Sequence, residues 1–295
     1  MVGECGPKHA DMAPSERSGA AENFAFRGTM AIISATPKLR VTIEFGVARL
    51  YIENPAKRNA FDFEMWRALP SLLRAVDAAE DARVLVISGA PGLPFCAGAD
   101  ISEFSNLRAT SEGGRAYEQA NVEAFDAISN LSKPTIAAVS GFCMGGGFGI
   151  AAACDLRIAD GQATFAIPAA KLGVGYPPAA MAYVVAAVGP QLAFDLFYTA
   201  RRLTADEAKE RGFVSRLFAT ESFEGAVHAL AETIAAGAPL TLRAAKAAIR
   251  AAARLPGASS HEQCEALTSA CFDSADYMEG RAAFLEKREP NFSGR

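Results

Sequence analysis

Residues Thr135–Cys154 read TIAAVSGFCMGGGFGIAAAC, and the order of residue types in them decides the fold. Thr135–Val139 is a short apolar run carrying β-branched residues, the composition of a buried strand. Glycines crowd Gly141–Gly149, and an alanine-rich helical segment runs on to Cys154. A strand that turns through glycines into a helix presents bare backbone N–H groups at the positive end of the helix dipole. Such a turn stabilises negative charge developing on an oxygen, and one donor of this kind contributes about 3–4 kcal/mol to a transition state. The competing reading is that the glycines only let helix and strand pack closely. Two nucleotide readings fail. A Walker loop needs Gly-Lys-Ser/Thr, but Gly146 is followed by Gly147; a dinucleotide fingerprint started at Gly145 meets Ile150 where its last glycine belongs.

A second stretch lies upstream. Arg83–Ser88 is strand-like, Gly89–Pro94 is turn chemistry, and Phe95-Cys96-Ala97-Gly98-Ala99-Asp100 follows, again with small residues that let a ligand approach the backbone. FCAGADI, SGFCMGGGFGIAAACDLRIAD and the C-terminal EGRAAFLEKREPNF, with NPAKRNAFD at Asn54–Asp62, together resemble the enoyl-CoA hydratase/isomerase (crotonase) superfamily. The resemblance spans about Leu39 to Phe292. It implies an α/β fold, a crotonase-like spiral of repeated ββα units with a C-terminal α-helical oligomerisation region. It also implies an oxyanion hole for a CoA thioester carbonyl, formed by the N–H groups of Ala97 and Gly146. Coenzyme A would enter as part of the substrate, with no tightly bound cofactor, and be held by Lys57, Arg58, Ala60, Ala97, Gly98, Ala99 and Asp100. Phe284 and Lys287 match positions where the family's tail closes over CoA, and self-association as trimers, often paired into hexamers, is implied as well. From the residues alone, Lys57–Arg58 reads equally as a solvated basic turn and Lys287 as a solvated helix residue.

Composition bounds the alternatives. The chain has 295 residues, 51% hydrophobic and 21% charged, ordinary globular material with ample core. A formal net charge of −4 gives no broad electrostatic case for nucleic acid or an anionic membrane. The six cysteines (Cys5, Cys96, Cys143, Cys154, Cys264, Cys271) form no CxxC pair and no metal spacing with histidine. Cys96, Cys143 and Cys154 sit among small apolar residues and read as buried thiols, which fits a reducing cytoplasm. His9, His228 and His261 are too far from the glycine turn to build a Ser-His-Asp or metal constellation. Two uncharged spans, Thr135–Cys154 and Leu172–Phe194, are broken by glycine and proline and read as buried segments rather than membrane spans.

In chain order, residues 1–36 read as a disordered extension, with Met30 an alternative start and no apolar segment of a signal peptide. Residues 37–221 read as the spiral core and 222–295 as the helical region. Val41–Phe45 and Val47–Glu53 alternate around Gly46, a hairpin signal. Phe63–Val76 carries an apolar face at helical spacing, in which Trp66 is packing. Asp100-Ile101-Ser102-Glu103 fits a capping box, as does Thr204 with Glu207.

The family pattern breaks at its acids. Hydration of an enoyl-CoA uses two carboxylates, one activating water and one supplying a proton. In hydratases that the chain resembles these follow the glycine run and the proline of the next strand–loop, positions occupied here by Gly149 and Ala169. Three readings stay open. An acyl-CoA enzyme could draw its proton-transfer group from Tyr176, Lys171, Asp100 or Glu103, with Tyr176 favoured as acid or base. A decarboxylase-type reaction would generate the enolate without a general base. A catalytically silent paralogue would bind CoA or serve as a structural oligomer.

Overall fold

A computed structural model describes residues 30–32 and 34–295. Most of the extension expected over 1–36 lies outside the described residues, but Met30–Ile32 (β1) is an edge strand paired antiparallel with β2 (Leu39–Glu44). Strand β2 pairs in turn with β3 (Val47–Ile52). Phe45 and Gly46 connect them with φ of 49° and 81°, the left-handed pair a two-residue hairpin turn requires. The chain continues through α1 (Phe63–Ala78), whose N-terminus is capped by Asp62 accepting from Met65 N–H. Met65, Trp66, Leu69, Leu72, Leu73 and Val76 line its buried face.

Strand β4 (Val84–Gly89) adds parallel to β3, followed by α2 (Phe104–Leu107) and the long α3 (Ser111–Ser129). Next come β5 (Thr135–Val139), β6 (Phe142–Met144), α4 (Gly146–Ala153), β7 (Leu156–Asp160), β8 (Thr164–Ala166) and α5 (Ala169–Leu172). Then follow α6 (Pro178–Thr199), β9 (Arg202–Thr204), α7 (Ala205–Glu210), β10 (Arg216–Phe218), α8 (Phe223–Ala235), α9 (Pro239–Ala252), α10 (His261–Phe272) and α11 (Ala275–Glu286). The main sheet runs β1-β2-β3-β4-β5-β7-β10, parallel from β3 onward, and β6-β8-β9 form a second small sheet. Val84, Leu85, Val86 and Ile87 are all buried, because both faces of a parallel sheet are covered. One face packs with α1, α3 and α4 into the principal core. The other is sealed by α8, whose Phe223, Val227, Leu230 and Ala231 meet Val84, Val86, Ile136 and Ile158. The composition change at residue 222 therefore precedes a helix that belongs to the sheet's own packing.

The expected break in the apolar span after Leu172 falls at Gly189, where φ is 73° inside α6. Among the described residues α6 is the one helix long and apolar enough to cross a membrane. Its Tyr183, Val184, Leu192 and Leu196 are buried in the principal core. Helix α9 docks through Lys246, which lies 2.9 Å from Asp155 and donates to Lys133 O, and through Arg250, which reaches Ser129 Oγ and Pro256 O.

Candidate active site

The FCAGAD segment runs beside the entry to the glycine turn. Phe95 N–H donates to Ser140 O at 2.8 Å, Cys96 N–H to Phe142 O at 2.7 Å, and Met144 N–H back to Cys96 O at 3.0 Å. Three consecutive glycines make the approach possible for different reasons. Gly145 has φ 48°, a Cβ on Gly146 would stand 2.8 Å from Trp66 Cζ2, and one on Gly147 would stand 2.7 Å from Cys96 Cβ. Trp66 is thus core packing, as its helical position implies, and its indole N–H donates to Tyr117 Oη at 3.1 Å.

The amides facing the turn differ from the expectation at one position. Ala97 N–H is consumed by ordinary internal pairing, donating to Arg58 O at 3.2 Å. Gly98 N–H points at Cys96 Sγ, and Asp100 N–H donates to Phe61 O at 2.7 Å while Gly98 O accepts from Phe61 N–H. This parallel bridge between Phe61 and Ala99 turns the Ala99 N–H to the opposite side, where it donates to no group among the described residues. The Gly146 N–H, at the first residue of α4, is likewise unpaired. The two are neighbours: Ala99 N lies 3.9 Å from where a Cβ on Gly146 would sit. The amide partner of Gly146 is therefore Ala99, and Ala97 serves as a wall residue.

Both amides line a pocket of about 100 Å3, together with Phe104, Phe125, Pro168, Ala169 and Tyr176. At position 149 a carboxylate is not merely missing. A Cβ there would stand 2.4 Å from Phe125 Cζ, so the ring occupies the space a longer side chain would need. Ala169 opens α5 on the pocket wall. Of the four substitutes read from the sequence only Tyr176 lines the pocket. Lys171 is exposed. Asp100 accepts from Ser102 N–H and Oγ and stands 3.6 Å from Lys57 Nζ; burial raises its pKa, but these bonds and that charge outweigh it and hold the carboxyl below its ordinary value. Glu103 does not close the expected box on Asp100, whose N–H is already taken by Phe61 O. It caps α1 instead, accepting from Phe63 N–H at 2.9 Å. The Tyr176 hydroxyl is buried without a partner, its ring edge-on to Phe197 at 5.1 Å. Burial pushes its pKa up, so the hydroxyl stays protonated.

One acid in the pocket wall escaped the sequence reading. Glu118 on α3 lines the pocket with Asn121 and Phe125, at helical spacing along one face, and Arg108 lines it as well. The Arg108 guanidinium stands 4.4 Å from the ring centres of both Phe104 and Tyr117. The available signal was the i, i+3, i+7 pattern of α3, though nothing in it says which neighbour that face meets.

The remaining expected contacts are dispersed. Lys57 and Arg58 are exposed next to the FCAGAD strand, with Lys57 Nζ 3.0 Å from Ser102 Oγ, while Ala60 is buried. Phe284, 83% exposed, and Lys287 lie on and at the end of α11, outside the pocket wall of this chain. Cys96, Cys143 and Cys154 are buried; burial pushes Cys96 and Cys154 up to about 12 and Cys143 well above the usual thiol value. Among the described residues no group of three His, Cys, Asp or Glu side chains could hold a metal ion.

Residues 42–295 match the family model described as enoyl-CoA hydratase/isomerase. The chain is 30% identical over 276 residues to the peroxisomal Delta(3,5)-Delta(2,4)-dienoyl-CoA isomerase of Arabidopsis thaliana, covering 90% of this chain and 99% of that one. It is 35% identical to the crotonyl-CoA hydratase of Syntrophomonas wolfei, covering 83% and 94%. A crystal structure from Hyphomonas neptunium, a putative enoyl-CoA hydratase/isomerase family protein, superposes with a TM-score of 0.82 at 37% identity, over 88% of this chain and 98% of that one. With the spiral core, the glycine turn and this likeness along nearly its whole length, the chain belongs to the enoyl-CoA hydratase/isomerase (crotonase) family of enzymes.

Proposed function

We propose that this chain binds an acyl-CoA thioester with its carbonyl oxygen between the Ala99 and Gly146 amides and stabilises the enolate that forms there. The observation carrying this reading is the pair of neighbouring, unpaired N–H groups on a pocket wall, one of them at the N-terminus of α4. Each N–H meets more negative charge on an enolate oxygen than on the ground-state carbonyl, so the pair favours the transition state over the substrate. Tyr176, held protonated, would donate to the reacting acyl group or return a proton to it. Hydration by a carboxylate pair is not part of the proposal, since Phe125 fills the space beside Gly149 and Ala169 carries no acid.

A decarboxylase-type reaction is the second reading, favoured by the same filled space. Losing carbon dioxide leaves its electron pair on the α-carbon and needs no base, only an acceptor for the enolate charge. In either case the exposed Phe284 and Lys287 suit a site completed in a trimer or hexamer, which sedimentation at micromolar protein would detect. The deciding experiment follows the enone absorbance of crotonyl-CoA and carbon dioxide release from methylmalonyl-CoA, beside acyl-CoA binding by calorimetry. Binding with little loss of enone absorbance is expected. Rapid hydration would refute the assignment of the missing acids, and absence of any acyl-CoA binding would refute the thioester site.

A further inference from the structure

The pocket that holds the Ala99 and Gly146 amides also carries polar side chains in its wall. Three side-chain atoms on its wall are buried and carry no hydrogen bond: Arg108 Nε, Asn121 Nδ2 and Tyr176 Oη. A buried donor left unpaired is costly, and the great majority in folded proteins find a partner. Three in one wall, when no other buried side-chain nitrogen or oxygen among the described residues lacks a partner, mark a surface built for acceptor atoms that the protein does not itself supply.

The arrangement fixes where those atoms belong. Phe125 packs against Gly149, in the same helix as the Gly146 amide, while Asn121 and Glu118 stand one and two turns further along α3, the latter about 10 Å away. Arg108 packs over the rings of Phe104 and Tyr117, which meet edge-on at 5.7 Å, and this contact holds its guanidinium in place. Glu118 lines the same pocket, close enough to act on Arg108 electrostatically but not joined to it by a salt bridge, so one cation and one carboxylate border the same space. A plain hydrocarbon chain reaching this region would desolvate both charges and satisfy neither.

We infer that the acyl group taken by this enzyme carries an oxygen at its far end, which accepts from Arg108 and Asn121, rather than ending as an unsubstituted alkyl chain. This rests on the thioester reading above. The oxygen could be a hydroxyl, which would also donate to Glu118, or a carboxylate, which Arg108 would pair with and Glu118 would oppose. A site that hydrogen-bonds a ligand oxygen rejects the analogue lacking it, because its own buried groups are then left unpaired.

The test is calorimetric binding of hexanoyl-CoA, 6-hydroxyhexanoyl-CoA and adipyl-CoA, with the octanoyl, 8-hydroxyoctanoyl and suberyl series for longer reach. We expect an oxygen-bearing member of at least one length to bind about 10-fold or more tighter than its alkyl counterpart. The hydroxyl and carboxylate arms say which oxygen is preferred. In Asn121→Leu and Arg108→Met that ratio should fall to about unity, whereas a purely structural role would weaken every ligand alike and leave the ratio standing. Equal or tighter binding of the alkyl chains at both lengths, or a ratio that survives both substitutions, overturns the inference while leaving the thioester site intact. Failure of all six ligands to bind overturns both.

Discussion

Gly149 and Phe125 test whether the loss of the expected carboxylate is a matter of one residue or of the packing around it. A Cβ on Gly149 would stand 2.4 Å from Phe125 Cζ and 2.9 Å from both Cε atoms. Phe125 is 1% exposed and wedged edge-on against Trp66 at 5.8 Å and Tyr183 at 6.3 Å, so the ring can yield only toward the pocket it lines. Gly149→Ala should therefore cost about 1–3 kcal/mol by overpacking, despite the gain in helix propensity an alanine brings. Phe125→Ala alone should cost about 3–5 kcal/mol through its cavity. In the double variant the new methyl enters that cavity, so the pair should lie close to Phe125→Ala alone, a coupling of about 1–3 kcal/mol. Urea midpoints of the four proteins at constant m give the cycle. If the two costs add to within about 0.5 kcal/mol, the ring is not what fills the space at position 149, and the packing explanation for the missing acid fails.

Gly146→Ala should cost at least about 100-fold in turnover of whichever thioester the enzyme accepts, because the methyl meets Trp66 Cζ2 at 2.8 Å and displaces the amide; unchanged kinetics would remove Gly146 from the site. Burial raises the folded-state pKa of Cys96 and Cys154 to about 12 and pushes Tyr117, Tyr176 and Tyr183 up as well. These groups hold their protons in the folded state after the unfolded chain has released them. Stability is thus fully present below about pH 9 and falls above it, and a urea midpoint that stays level between about pH 8 and pH 10.5 would contradict their burial. Lys246→Met should destabilise by about 3 kcal/mol, since it strips Asp155 of its ion-pair partner at 2.9 Å and leaves it only the Thr135 hydrogen bonds, and a loss under about 1 kcal/mol by urea titration would show that α9 docks without that pair.

How much of this was legible in the chain depended on whether the deciding partner was local. The Phe45-Gly46 turn and the Thr204–Glu207 capping box are written within a few residues, and both form. The strand at Thr135–Val139 and the turn into α4 follow from a run of apolar residues and glycines alone. The choice between Ala97 and Ala99 is of another kind, because alternate amides of an extended segment face opposite sides. Phe61, far away in sequence, bonds Gly98 O and Asp100 N–H and so decides which side is free. Glu103 shows the same dependence, since its expected target on Asp100 was already occupied by Phe61. The strands β6 and β9 span three residues each, too short for any periodicity to register. Glu118 was readable as part of a helical face but not as part of a pocket, because the identity of the facing element is a tertiary fact.

That division between local and tertiary information bears on the chemistry. The two free amides belong to the backbone, held by the Phe61 bridge on one side and by the helix start on the other, so side-chain substitution at positions 149 and 169 leaves them in place. An acid placed on α4 or α5 is a side chain and can be exchanged without disturbing that frame. In this chain Phe125 occupies the space beside Gly149, and the polar groups of the pocket wall stand on α3 and beside α2, as Glu118, Asn121 and Arg108. The two amides are thus set by the backbone of the fold shared with the family, whereas the pocket wall around them is set by side chains particular to this sequence. Overall likeness reports chiefly on the frame, so it places the chain in its family without fixing which reaction its side chains perform.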